Sequence, residues 1–112
     1  MTREQLLSRI KQRLEVAFRE RLKGVVLYGS EARGESSSES DLDLLVLLTG
    51  PLELTREIRT IITALYPLQL EIIDAEGGVG GWLIHAYPVD NSSFEAGKFG
   101  LYQNARAEGI FL

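Results

Sequence analysis

Apolar residues recur at every fourth position in the opening stretch of the chain, at Leu6, Ile10, Leu14, Phe18 and Leu22. That spacing lines one face of an α-helix. Thr2 followed by Gln5 has the form of a capping box, which sets the start of the helix, and Gly24 is where it is expected to stop. The pattern then changes. Val25-Val26-Leu27-Tyr28 is short, β-branched and apolar, as in a buried strand, and it ends at Gly29-Ser30. Glu31-Ala32-Arg33 predicts one helical turn capped by Ser30, and residues 34–40, small and polar, predict an exposed loop. Residues 41–48 are apolar apart from two carboxylates and read as a second strand pairing with the first, ended by Gly50-Pro51.

Leu54, Ile58, Ile61, Ile62 and Leu65 predict a second amphipathic helix. It is expected to close before Pro67, because a residue preceding proline avoids the helical region. Residues 68–74 read as a third strand. Gly77-Gly78-Val79-Gly80-Gly81 then reads as a hairpin connection into a fourth strand over residues 83–89. Residues 90–93 supply turn and cap residues for a last helical region, interrupted at Gly97 and Gly100 and ended by Gly109 before the apolar tail Ile110-Phe111-Leu112. The order predicts an α/β or α+β fold in one domain, residues 1–112, with a mixed sheet of about four strands covered mainly on one face.

Composition narrows the function. Apolar residues make up 45% and charged residues 25%, which fits a folded globular chain. The net charge of −4 argues against a long nucleic-acid partner, whose phosphates need a clustered basic surface. No apolar stretch approaches the roughly 20 residues of a membrane span, and no signal-peptide pattern opens the chain, so a cytoplasmic location is expected. The chain contains no cysteine and His85 is its one histidine, which disfavours a zinc site. An acidic protein can still hold a small polyanion if a divalent cation sits between carboxylate and phosphate.

The carboxylates of the second strand supply such a site. Side chains two apart in a strand share a face, so Asp41 and Asp43 project together, about 7 Å apart at Cα, with Leu42, Leu44 and Val46 opposite. Two anions on an otherwise apolar strand call for a cation, and the strand has no Lys or Arg, so a divalent metal is favoured. Gly29-Ser30 strengthens this, since glycine lets a phosphate approach the backbone and a following helical turn aims free N–H groups at it. Glu71, on the expected third strand, offers a third carboxylate suited to two-metal chemistry or to general-base catalysis.

Each piece also has a plainer role. D-x-D can be turn chemistry, Glu71 can protect an edge or form an ion pair, Asp90 reads as a turn residue, and His85 as a structural or surface histidine. Arg33 is either a phosphate contact or a solvated side chain. No P-loop, G-x-G-x-x-G, G-x-S-x-G elbow or calcium loop is present.

Taken together, Leu27-Tyr28-Gly29-Ser30, Glu31-Ala32-Arg33-Gly34 and Ser40-Asp41-Leu42-Asp43-Leu44-Leu45-Val46 resemble the minimal nucleotidyltransferases of the DNA polymerase beta superfamily. Ten residues separate Ser30 from Asp41, as in the G-S-x10-D-x-D pattern of that family. The run from Asn104 to Leu112 is similar to its carboxyl-terminal segment. The resemblance implies that Gly29 and Ser30 hold the triphosphate of ATP, with Arg33 and Ser40 in the same loop, and that Asp41 and Asp43 bind Mg2+. It places the third acid on Glu71, as both metal ligand and catalytic residue, with Asp74 or Asp90 as substitutes. The chain departs from the pattern in the inserted segment 77–82 and in a glutamate where aspartate is frequent.

Proteins of this type often pair with a helical HEPN-domain toxin, and some transfer AMP from ATP to a tyrosine of it. The resemblance therefore implies a protein adenylyltransferase acting as the antitoxin of a HEPN toxin. The competing readings are an antitoxin that only masks its partner, and an adenylyltransferase of small molecules.

Overall fold

A computed structural model describes residues 2–29, 41–75 and 83–112. Helix α1 (Arg3–Phe18) opens on the expected capping box: Thr2 Oγ1 accepts from the Gln5 backbone N–H at 3.1 Å, and Gln5 Oε1 accepts from the Thr2 N–H at 2.8 Å. The helix ends earlier than Gly24. A short 3-10 turn (Arg19–Arg21) follows Phe18, and strand β1 (Leu22–Tyr28) has already begun when the chain reaches Gly24. Gly24 sits at a bulge, since Leu22 pairs with Leu48 and Gly24 with Leu47, leaving Lys23 as the extra residue.

Strand β2 (Asp41–Leu48) pairs with β1 in antiparallel fashion, as its composition predicted. Strand β3 (Leu83–Asp90) lies parallel to β2 on its other side. Helix α2 (Leu54–Ala75) joins β2 to β3, helices α3 (Asn91–Glu95) and α4 (Gly100–Glu108) follow, and the two-residue strand β4 (Ile110–Phe111) closes on β1. Among the described residues the result is the expected mixed sheet of four strands, in the order β3-β2-β1-β4. Its membership differs from the prediction, because residues 68–74 are helical and the carboxyl-terminal tail supplies the missing strand.

Helix α2 runs through Pro67 for a physical reason. Ile61, Leu65, Leu68 and Ile72 follow one another at four, three and four residues and are all buried. This single helical stripe packs against Leu6, Ile10 and Leu14 of α1 and against Val25, Leu42 and Leu44 of the sheet. Pro67 faces solvent, where the carbonyl it leaves without an N–H partner can be hydrated. The alternation of residues 68–73 fitted a strand equally well, and packing on α1 decided between the two. The connection after α2 leaves a helix, so it is not a hairpin; residues 76–82 lie outside those described.

Among the described residues, the second face of the sheet is covered only towards one end. There Val26, Leu45, Leu47 and Val89 pack under Phe94 of α3 and Ala105 of α4. No described helix covers the other end of that face, and Asp41 and Asp43 lie there. Among the described residues, no helix is long and apolar enough to cross a membrane.

Candidate active site

Residues opposite one another on neighbouring strands share a face. Asp43 pairs with Tyr28 of β1 on one side and His85 of β3 on the other, so Tyr28, Asp43 and His85 form a row across three strands. The next row inwards is Val26, Leu45 and Tyr87, and the row after it reaches the layer under α3. Asp41 stands one row outwards, opposite Leu83. The two carboxylates thus share the open face, while Leu42, Leu44 and Val46 enter the core under α1 and α2, as the period of two predicted.

Each neighbour of the pair constrains it. Gly29, the first residue after β1, has φ +81°, a left-handed conformation that favours glycine. A Cβ at Gly29 would stand 3.2 Å from Asp43 Oδ2, so glycine also makes room for the carboxylate. On the other side His85 Nε2 lies 3.2 Å from Asp41 Oδ2. Nε2 is covered from solvent and not aligned for a hydrogen bond with any partner, so the contact with Asp41 is one of proximity. Burial, reinforced by the charge of Asp43 and by Tyr87, pushes the Tyr28 phenol up to about 12 and keeps it neutral.

Glu71 is not part of this row. It lies on α2, where Arg9 of α1 donates to both its oxygens, Nη1 to Oε1 at 3.2 Å and Nη2 to Oε2 at 2.8 Å. These bonds hold the Glu71 carboxyl below the usual range. The strand that was to present it beside Asp41 and Asp43 does not form, because residues 68–74 are helical, and the ion pair with Arg9 joins α1 to α2. Neither substitute fills the position. Asp74 is exposed near the end of α2. Asp90 pairs with Leu48 at the opposite end of β2 from Asp41, seven residues away, or roughly 23 Å along a strand. There it caps α3, accepting from the Ser92 N–H at 2.9 Å and the Ser92 hydroxyl at 2.6 Å. Ser30, Arg33 and Ser40 lie outside the described residues.

Oxygen donors on one open face suit a hard divalent cation, and magnesium is commonly held by one or two carboxylates with the remaining positions filled by phosphate and water. Asp41, half exposed, and Asp43, with its oxygen against the Gly29 turn, meet that requirement. Among the described residues no three His, Cys, Asp or Glu side chains converge as a cation cage.

The comparisons with known proteins give the class to which this sheet, with its D-x-D strand beside a glycine turn, belongs. The model of the nucleotidyltransferase domain family matches residues 7–99, and the chain belongs to that family. One relative from Methanocaldococcus jannaschii, provisionally named a protein adenylyltransferase, is 30% identical over 70 residues, covering 62% of this chain and 71% of its own. A second of the same provisional name and organism is 36% identical over 47 residues, covering 42% of this chain; the chain spans about half, 47%, of its length. A protein from a crystal structure of a toxin-antitoxin with AMP-PNP shares the fold, with a TM-score of 0.50 at 16% identity over 98% of this chain and 72% of that one.

Proposed function

We propose that this chain is a Mg2+-dependent nucleotidyltransferase that transfers AMP from ATP to a hydroxyl of a partner protein. The observation that carries the reading is the pair Asp41 and Asp43, set on the open face of β2 against the Gly29 turn. Bound there, a divalent cation would supply charge neutralisation for the triphosphate and for the pyrophosphate that leaves. Asp41 and Asp43 hold that charge in place. The Gly29 turn admits the phosphates close to the backbone, and Ser30, Arg33 and Ser40 belong to the same binding loop by the spacing of the family pattern. The acceptor oxygen attacks the α-phosphorus, the bond to the β-phosphate oxygen breaks, and the acceptor proton passes to a carboxylate of the pair. Such transfers rely mainly on positioning and charge, so few protein groups are needed.

His85 takes a positioning role in this scheme. Its Nε2 faces Asp41 Oδ2 and restricts how that carboxylate can rotate, as outer groups do around metal ligands. Glu71 has no part in the chemistry.

The acceptor we infer is a tyrosine of a HEPN-domain toxin, with this chain as its antitoxin. The names of the M. jannaschii relatives support a protein substrate, and the toxin-antitoxin that shares the fold supports a toxin partner. The test is to incubate the chain with ATP, Mg2+ and its co-encoded neighbour, then map the modified residue by mass spectrometry. An AMP adduct on a tyrosine is expected. Absence of adduct with tight binding would leave neutralisation by masking, a reading favoured by one observation: among the described residues, only two of the three anticipated carboxylates stand together.

A further inference from the structure

Helix α2 carries a second apolar stripe, facing away from the core. Ile58, Ile62, Tyr66, Leu70 and Ile73 follow the helical repeat and are between 36% and 58% exposed. Beside them a groove of about 340 Å³ runs between α2 and β3, with Tyr87 on its far wall. Together these side chains expose on the order of several hundred Å², the size at which apolar surface on a soluble protein marks an interaction site.

We infer that this face is a homodimer interface, in which α2 of one copy packs antiparallel on α2 of another. Charge supports that occupant. Tyr66 stands at the middle of the stripe, with Arg59 seven residues before it and Asp74 eight after it, both exposed. Helical geometry puts Arg59 and Asp74 on the same flank of the stripe. A twofold axis relating antiparallel helices brings like flanks together, so Arg59 of each copy meets Asp74 of the other, and this happens twice. The helix dipoles are opposed in the same arrangement, which adds to the attraction.

The edge of β3 argues against the alternative of strand addition. The Ile84 N–H faces outwards and donates to Gln69 Oε1 at 2.8 Å. Alternation along the strand makes Ala86 and Pro88 the next outward positions, and Pro88 has no N–H to give. Two of the four outward positions of β3, Ile84 and Pro88, therefore have no N–H to offer an added strand. A helix remains the fitting occupant, and the stripe of a second α2 is such a helix. The area is below the roughly 800 Å² per partner of a stable interface, so the dimer is expected to be weak and concentration-dependent.

Sedimentation equilibrium of the purified chain across a concentration series tests this. The expected result is a monomer–dimer equilibrium that Ile62→Glu abolishes while leaving thermal unfolding of the monomer unchanged, since Ile62 is exposed. Arg59→Glu and Asp74→Arg should each weaken the dimer several-fold, more so at low salt, and the double variant should restore it. A monomer at every concentration would overturn the inference, as would a dimer indifferent to Ile62→Glu. Failure of the double variant to restore association would overturn the antiparallel arrangement. None of these readouts depends on nucleotidyl transfer.

Discussion

His85 Nε2 stands 3.2 Å from Asp41 Oδ2, so among the described residues an imidazole lies beside the aspartate pair, while Glu71 lies on α2 with Arg9. The pairing of Asp43 with His85 across parallel strands is what brings the imidazole there. If His85 positions Asp41, then His85→Ala should weaken Mn2+ binding, followed by electron paramagnetic resonance, by about tenfold, with a matching fall in kcat/KM. His85→Gln, whose amide reaches as far as Nε2, should recover part of both. Unchanged metal affinity in His85→Ala would remove the residue from the site.

Glu71 provides the complementary case. Its carboxylate is occupied by Arg9 on the helical layer, so Glu71→Gln should leave transfer activity within about twofold of wild type, whereas loss of a true metal ligand costs orders of magnitude. A drop comparable to that of Asp41→Asn would contradict the placement of Glu71.

Gly29 combines a left-handed backbone with a place where any Cβ would crowd Asp43. Gly29→Ala introduces both the strain of a side chain at φ +81° and a Cβ 3.2 Å from Asp43 Oδ2. A loss of about 1–2 kcal/mol in stability is expected from the backbone alone, with a larger proportional loss in activity as the carboxylate is displaced. Chemical denaturation and steady-state kinetics on the same preparation separate the two effects.

Stability at low pH has a separate origin. Glu57, 1% exposed at the start of α2, accepts from Arg21 at 2.8 and 3.0 Å, from the Glu53 N–H at 3.0 Å and from Arg56 at 3.3 Å. The hydrogen bonds from Arg21 lead in holding its carboxyl at about 2, down from 4.5. A group depressed on folding stabilises the native state above its unfolded pKa, and that stabilisation is lost as pH falls through the folded value. Water reaches the Arg21 and Arg56 side chains and screens the attraction, so Glu57 should contribute about 1–2 kcal/mol at neutral pH, lost progressively between about pH 4.5 and 2. Glu57→Gln should remove this part of the acid transition and lower the thermal midpoint at pH 7. An unaltered acid profile would contradict the assignment.

Much of the fold was legible in the local pattern. The capping box of α1, the strands β1 and β2, and the shared face of Asp41 and Asp43 depend on neighbouring residues, and sequence periodicity reports them directly. The failures came where tertiary packing decides. Residues 68–73 fit a period of two as well as one of 3.6, and only α1 with its apolar face selects the helix. The rule that a helix ends before proline gave way because Pro67 sits on the solvent side. Strand β4 is two residues long, too short for any periodic signal, and exists because β1 offers an open edge. His85 was visible as a residue on a strand, but its place beside Asp41 follows from parallel pairing of β3 with β2, a relation that no local pattern encodes. The resemblance carried Glu71 to the third position because residues 68–74 read as a strand; the strand that lies beside β2 is β3, which holds His85 level with Asp43.

The most direct measurement is transfer of label from α-labelled ATP, with pyrophosphate release followed in parallel, in the presence of Mg2+ and the co-encoded protein, comparing wild type with Asp41→Asn/Asp43→Asn. Wild type should show matched release and incorporation, both lost in the double variant while its fold and partner binding persist. Equal incorporation by the two forms would contradict a site built on Asp41 and Asp43.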